Sequence, residues 1–251
     1  ILNQMWAEPS LQELTGLTDI RPPLGIAGAA GLMGLFGEHP DVASGIGLLS
    51  LVVCALGTML LVQRFSDAWA GLAAALVLLS MPSVIGHSRI LMMDLPLAAV
   101  VLVSLLTLWW ALDGAAVPRP SWSRWGLLGL ALGAGLLTKL VYPIFVAGPL
   151  IWAVARPPPG LRRRQVLAGL AVASVAAAVI AAPWYVPRFG AVYEIYRDTG
   201  HFSLSYGGEH FLSSESLIYH FYVAPLGQMG PLFFFLAWGC VFLLLATRRA
   251  D

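Results

Sequence analysis

The sequence predicts an all-α, polytopic transmembrane helix bundle of about seven spans, with interfacial helices in its extracytoplasmic loops. Three observations carry that prediction. The composition is 59% hydrophobic and 11% charged with a mean hydropathy of +0.80, whereas soluble domains carry about 25% charged residues. Apolar runs long enough for a bilayer, about 20 residues each, recur along nearly the whole chain with short polar breaks. Those runs lack period-2 alternation, so a lipid-facing backbone would satisfy its own hydrogen bonds as helices and not as a barrel.

Residues 1 to 24 read as a structured loop, with Glu8, Glu13, Asp19 and Arg21 between modest apolar stretches. Residues 24 to 37 are apolar but hold five glycines, which suits an interfacial or re-entrant helix. Spans are then expected at 45–63, 67–85 and 94–112, separated by Gln63–Asp67 and by Gly86–Arg89. The apolar stretch 125–155 could be one overlong helix or a tight pair broken at Lys139 and Pro143. Loop charge decides for the pair. It puts Arg64, Arg119, Arg124, Arg156, Arg162, Arg163, Arg164, Arg248 and Arg249 all on one side, as the positive-inside rule expects of the cytoplasm. A span at 165–183, a long polar segment 184–229 and a last span at 230–247 complete the reading.

The net charge of +1 identifies no partner, and nucleic acid is not expected. Cys54 and Cys240 both lie in apolar runs and read as small buried hydrophobes. The chain is read as a single domain over 1–251, expected to be a fragment that begins inside a loop at Ile1, with truncation at its C-terminus a further expectation.

The remaining polar residues concentrate on the extracytoplasmic side. Asp94 stands at the mouth of a span, where it either complements the helix dipole or serves chemistry, since a carboxylate beside lipid is costly. Lys139, in the short hairpin, either snorkels to the interface or supplies a cation for an anionic group held at the membrane surface. Arg21, Arg89 and His87 would reinforce such a site, because point cations and guanidinium forks suit a lipid-linked phosphate. The segment 184–229 mixes rings with charge, including Trp184, Tyr185, Arg197 and His201, in the kind of mixture that sugar-binding sites use. Its histidines show no tight metal-ligand spacing.

Four stretches, taken in order, give a family resemblance: Asp19-Ile20-Arg21-Pro22-Pro23-Leu24, Ser88-Arg89 through Met93-Asp94-Leu95-Pro96-Leu97, Gly135-Leu136-Leu137-Thr138-Lys139, and Pro183-Trp184-Tyr185. The chain resembles the GT-C glycosyltransferases of the protein O-mannosyltransferase and aminoarabinose (lipid A) transferase type. The resemblance implies a multi-pass enzyme of the cell membrane that moves a sugar from a polyprenyl-phosphate donor to an acceptor hydroxyl on a protein, lipid or glycan, outside the cytoplasm. Asp94 then matches the family's acidic residue at the start of a span, and Lys139 and Arg21 match its phosphate-contacting positions. The family's early acidic motif is missing from the first loop, which leaves Asp19 or Glu8 as substitutes for a carboxylate expected upstream of Ile1. A divalent metal ion, with Asp94 as a ligand, is an open alternative to fixed positive groups for stabilising the leaving phosphate. Two other readings compete. A transporter predicts ionisable groups midway through the spans, where almost none occur. A non-catalytic scaffold or lipid-binding protein would share the polar face without requiring Asp94.

Overall fold

The structure, a computed structural model, describes residues 22–113 and 121–194. The described residues form helices α1 (Leu24–Phe36), α2 (Pro40–Gln63), α3 (Ala68–Ser80), α4 (Pro82–Ser88), α5 (Asp94–Leu112), α6 (Trp122–Leu136), α7 (Tyr142–Ala155) and α8 (Arg163–Tyr185), with further helical residues at 189–194, and no strand. Local chemistry sets the boundaries. Helix α1 stops at Gly37, whose φ of 104° favours a residue without a side chain. Helix α2 starts earlier than hydropathy predicts, because His39 accepts a hydrogen bond from the Asp41 amide and Pro40 fills the first helical position. Asp67 caps α3 by accepting from the Ala70 amide at 2.8 Å.

Two boundaries differ from expectation. The span expected at 67–85 is broken, with α3 and α4 meeting at a bend of 69°. Pro82 is the reason: it has no N–H to continue the ladder, and it holds Met81 extended (φ −72°, ψ 123°). Gly86, His87 and Ser88, expected in a loop, therefore sit in the last turn of α4. The stretch 125–155 is the expected pair, with its turn at 137–141. Its arms have 15 and 14 residues. At about 1.5 Å per residue each reaches only some 22 Å, against roughly 30 Å of hydrocarbon. Among the described residues, three helices (α2, α5 and α8) are long and apolar enough to cross a membrane, or four if the bent α3–α4 pair is one span. The last expected span, 230–247, lies outside the described residues.

The largest core cluster joins α5, α6, α7 and α8 through Leu97, Leu108, Trp125, Leu128, Tyr142, Val166 and Ala173. Helices α6 and α8 run parallel along a seam of small residues. A methyl on Gly129 would lie 2.5 Å from the Ala173 carbonyl oxygen, and one on Gly133 3.0 Å from Ile180 Cβ. Trp125 covers Gly169 in the same register. In lipid, where tails are as apolar as leucine, such close backbone approach is a principal source of helix association. The outward faces stay apolar, with Ile144 75% and Val179 70% exposed, as a bundle solvated by hydrocarbon requires.

The two ends of the bundle differ in charge. At one end Arg64 pairs with Asp113, Phe65 packs edge-on to Trp109 at 5.1 Å, and the Arg124 guanidinium lies 4.9 Å over the Trp110 ring. The Arg156–Arg164 connection between α7 and α8 falls at this same end. The other end holds the starts of α2 and α5, the α6–α7 turn and the end of α8.

Replacing Gly129 by Ala in the full-length protein is expected to force α6 and α8 apart and destabilise the bundle by about 1–3 kcal/mol. Thermal unfolding in detergent measures it.

Candidate functional site

Asp94 is the first residue of α5, with Pro96 two positions later in the opening turn. Lys139 lies in the turn that joins α6 to α7. Although 45 positions separate them in sequence, Lys139 Nζ donates to Asp94 Oδ1 at 2.5 Å. Both side chains remain partly open, the lysine 38% and the aspartate 48% exposed. A charge-assisted bond this short holds the two groups as one unit. An ammonium carries three donors, so a lysine engaged once can still donate to an incoming anion. Among the described residues neither side chain makes another hydrogen bond. The pair sits at the end opposite Arg64, Arg124 and the Arg156–Arg164 connection, as the sequence predicts.

The turn carrying Lys139 is built from main-chain acceptors. The last carbonyls of a helix have no partner within it and need donors from elsewhere. At the end of α6 each finds one: Gly133 O accepts from the Leu137 amide, Ala134 O from the Thr138 hydroxyl, and Gly135 O from the Thr138 and Lys139 amides. Two donors arrive from distant elements. Tyr185 Oη, at the end of α8, donates to Leu136 O at 2.8 Å, and the Leu24 amide, at the start of α1, donates to Leu137 O at 2.8 Å.

Beneath the turn, the Tyr142 ring packs on Gly135, where a methyl would come within 2.1 Å of it. Its hydroxyl meets Ser104 Oγ of α5 at 2.6 Å in a fully buried contact. Sequence reasoning missed Tyr142 and Ser104; the one available signal was a glycine set just ahead of an aromatic in a short hairpin. On α5's other side, Cys54 is buried, as expected, with its thiol directed at Leu95 O at 3.8 Å.

The other predicted residues are distributed differently. Arg89 does not join the pair. It lines a separate cleft of about 490 Å³ between the first turns of α2 and the end of α4, with Asp41, Ser44, Leu48, Leu51 and Ser88. It makes no ion pair among the described residues. His87 is on α4 with Nδ1 2.6 Å from Ser83 O, so one ring nitrogen serves its own helix. Trp184 and Tyr185 are not presented as an open stacking surface. Trp184 is 8% exposed, its ring set edge-on to Tyr185 at 4.8 Å and covered by the Arg188 guanidinium at 5.5 Å. The reason is that both residues still belong to α8, whose inner face they complete, and not to the polar segment after it. Asp19, Arg21, Arg197 and His201, and with them Glu8, lie outside the described residues. Among the described residues no three His, Cys, Asp or Glu side chains gather as a metal site; the neighbour of Asp94 is a cation.

The family model described as dolichyl-phosphate-mannose-protein mannosyltransferase matches residues 20–187. The chain is also similar to the undecaprenyl phosphate-alpha-4-amino-4-deoxy-L-arabinose arabinosyl transferase of Pseudomonas aeruginosa (strain UCBPP-PA14), at 35% identity over 159 residues, 60% of this chain and 27% of that protein. The protein of the same description from Pseudomonas paraeruginosa (strain DSM 24068 / PA7) is 34% identical over the same shares. The chain thus spans about a quarter of the length of these curated relatives, 27%. Two crystal structures of ArnT from Cupriavidus metallidurans, one apo and one bound to undecaprenyl phosphate, superpose with TM-scores of 0.63 and 0.65. They cover 96% of this chain and 44% and 45% of theirs, at 21% identity. The fold is therefore the expected GT-C-like helix bundle, that of a multi-pass membrane protein.

Proposed function

Because the chain belongs to the dolichyl-phosphate-mannose-protein mannosyltransferase family, we propose that it is part of a membrane glycosyltransferase that moves a sugar from a polyprenyl-phosphate donor to an acceptor hydroxyl on the extracytoplasmic side of the cell membrane. The observation that carries this reading is the Lys139–Asp94 pair, 2.5 Å across, at the end of the bundle opposite Arg64, Arg124 and the Arg156–Arg164 connection. Arginine-rich ends face the cytoplasm, so the pair faces outward. The curated relatives are named for an undecaprenyl phosphate-linked pentose, which supports a donor of the same class and a pentosyl or hexosyl transfer.

The chemistry asks for a base and a fixed cation close together. The acceptor hydroxyl oxygen attacks the anomeric carbon and a new C–O bond forms. The bond from that carbon to the phosphate oxygen breaks, and its electron pair leaves with polyprenyl phosphate. The acceptor's proton passes to the Asp94 carboxylate, whose Oδ2 is the oxygen that Lys139 does not engage. The two remaining N–H donors of Lys139 meet the negative charge that grows on the departing phosphate. Arg89, on the rim of the neighbouring cleft, is assigned the approach of the lipid phosphate, with His87 beside it and Arg21 completing the set. Asp19 is a second candidate carboxylate, and Arg197 and His201 remain candidates for sugar or acceptor contact. A divalent cation at Asp94 would have to share that carboxylate with Lys139, so the lysine takes the electrostatic role in this scheme. The acceptor is a lipid, glycan or protein hydroxyl.

Replacing Asp94 by Asn in the full-length protein is expected to lower sugar transfer at least about 100-fold while membrane insertion is unchanged; full activity in that variant rejects the base assignment. Replacing Lys139 by Met is expected to raise the donor KM, and unchanged donor saturation rejects its phosphate role. For topology, a cysteine at position 160 should resist an impermeant thiol reagent in sealed cells. Ready labelling there would put the pair on the cytoplasmic side.

A further inference from the structure

Tyr185 Oη donates to Leu136 O at 2.8 Å, three residues before Lys139 and 49 positions away in sequence. The last carbonyls of a helix take donors from side chains, water or the next turn of chain, and here one donor is a tyrosine hydroxyl from another helix. Here the turn is packed between α1, α5 and α8, and the neighbouring carbonyl, Leu137 O, takes the Leu24 amide. These two long-range bonds reach adjacent carbonyls from two different helices, and the bond to Leu136 O comes from a side chain. The turn's internal bonds fix its shape, whereas its orientation relative to the rest of the bundle depends on bonds that leave it. The Lys139 ammonium stands at the far end of a long side chain, so a rotation of the turn carries Nζ further from Asp94 than it moves the backbone, and the side chain must leave its present rotamers to follow.

We propose that Tyr185 is a positioning residue for the Lys139 ammonium: its hydroxyl holds the α6–α7 turn so that Lys139 is presented to Asp94 and to the donor phosphate. The proposal rests on the phosphate role assigned to Lys139 above. It replaces the sugar-stacking role expected for this ring, whose hydroxyl is directed into the bundle. It also links the donor cation to the chain just beyond α8. Tyr185 is braced edge-on by Trp184, and Trp184 lies beneath Arg188, directly ahead of the helical turn that begins at 189.

The test uses the full-length protein in nanodiscs, with undecaprenyl phosphate as the probe and wild type, Y185F, K139M and Y185F/K139M compared. Y185F keeps the ring and removes only the hydroxyl. Y185F is expected to weaken undecaprenyl phosphate binding about three- to tenfold, the range of one lost hydrogen bond. K139M is expected to weaken it more, and the double variant to bind like K139M, since Tyr185 acts only through the lysine. Losses that multiply in the double variant, or an unchanged affinity in Y185F, overturn the proposal. Amide hydrogen exchange across 136–142 is the second readout. Exchange there should quicken in Y185F while that of α2 and α5 is unchanged; a uniform rise, or none, indicates a purely structural bond or no bond at all and also overturns it. If wild type does not bind undecaprenyl phosphate, the assigned function fails, while the exchange comparison still decides whether Tyr185 fixes the turn.

Discussion

The end of this bundle that carries Lys139 depends on how the carbonyls at the end of α6 are satisfied. A helix that stops within or near hydrocarbon leaves acceptors that water cannot reach cheaply, and each unpaired one costs several kcal/mol. The chain answers by bringing in the Leu24 amide and the Tyr185 hydroxyl, so the start of α1 and the end of α8 converge on one short turn. Ser104 and Tyr142 complete the convergence from α5 and α7. The ion pair between Lys139 and Asp94 is thus the polar outcome of a backbone requirement, set where five of the described helices meet.

The bundle separates its charges by purpose. At the arginine-rich end, Arg64 and Arg124 are engaged with Asp113 and Trp110, close to exposed aromatic rings. Such contacts anchor helices at an interface and fix which way the chain crosses. At the opposite end Lys139 and Asp94 are half exposed and Arg89 has no ion pair among the described residues. Arg64 and Lys139 are each paired with an acid and are comparably exposed, so what separates the two ends is the aromatic rings gathered around Arg64 and Arg124.

Much of this was legible in the sequence. The split of 125–155 followed from loop arginines alone, and with it came the shared face of Asp94 and Lys139. Hydropathy sums side chains, however, and is blind to what the main chain needs. It read 67–85 as one run because Met81 and Pro82 hardly change the average, though the proline's missing N–H bends the chain there. It could not anticipate that a tyrosine near the end of α8 would serve a carbonyl of α6, since nothing in Trp184-Tyr185 distinguishes a ring that stacks on sugar from one that completes a helix face. Arg89 was grouped with Lys139 by face, which is correct for the end of the bundle but too coarse to separate two sites lined by different helices.

The link between the Leu24 amide and the Leu137 carbonyl joins two regions wholly through main-chain atoms. Side-chain drift at either position leaves it intact, and at position 24 only proline, which lacks the N–H, removes it outright. A joint of this kind is inherited with the backbone and not with the spelling of the sequence. Homologues sharing a fifth of their residues can therefore keep the same meeting point of helices while substituting nearly everything around it, so the joint constrains the path of the chain and leaves the surface beside it free to change.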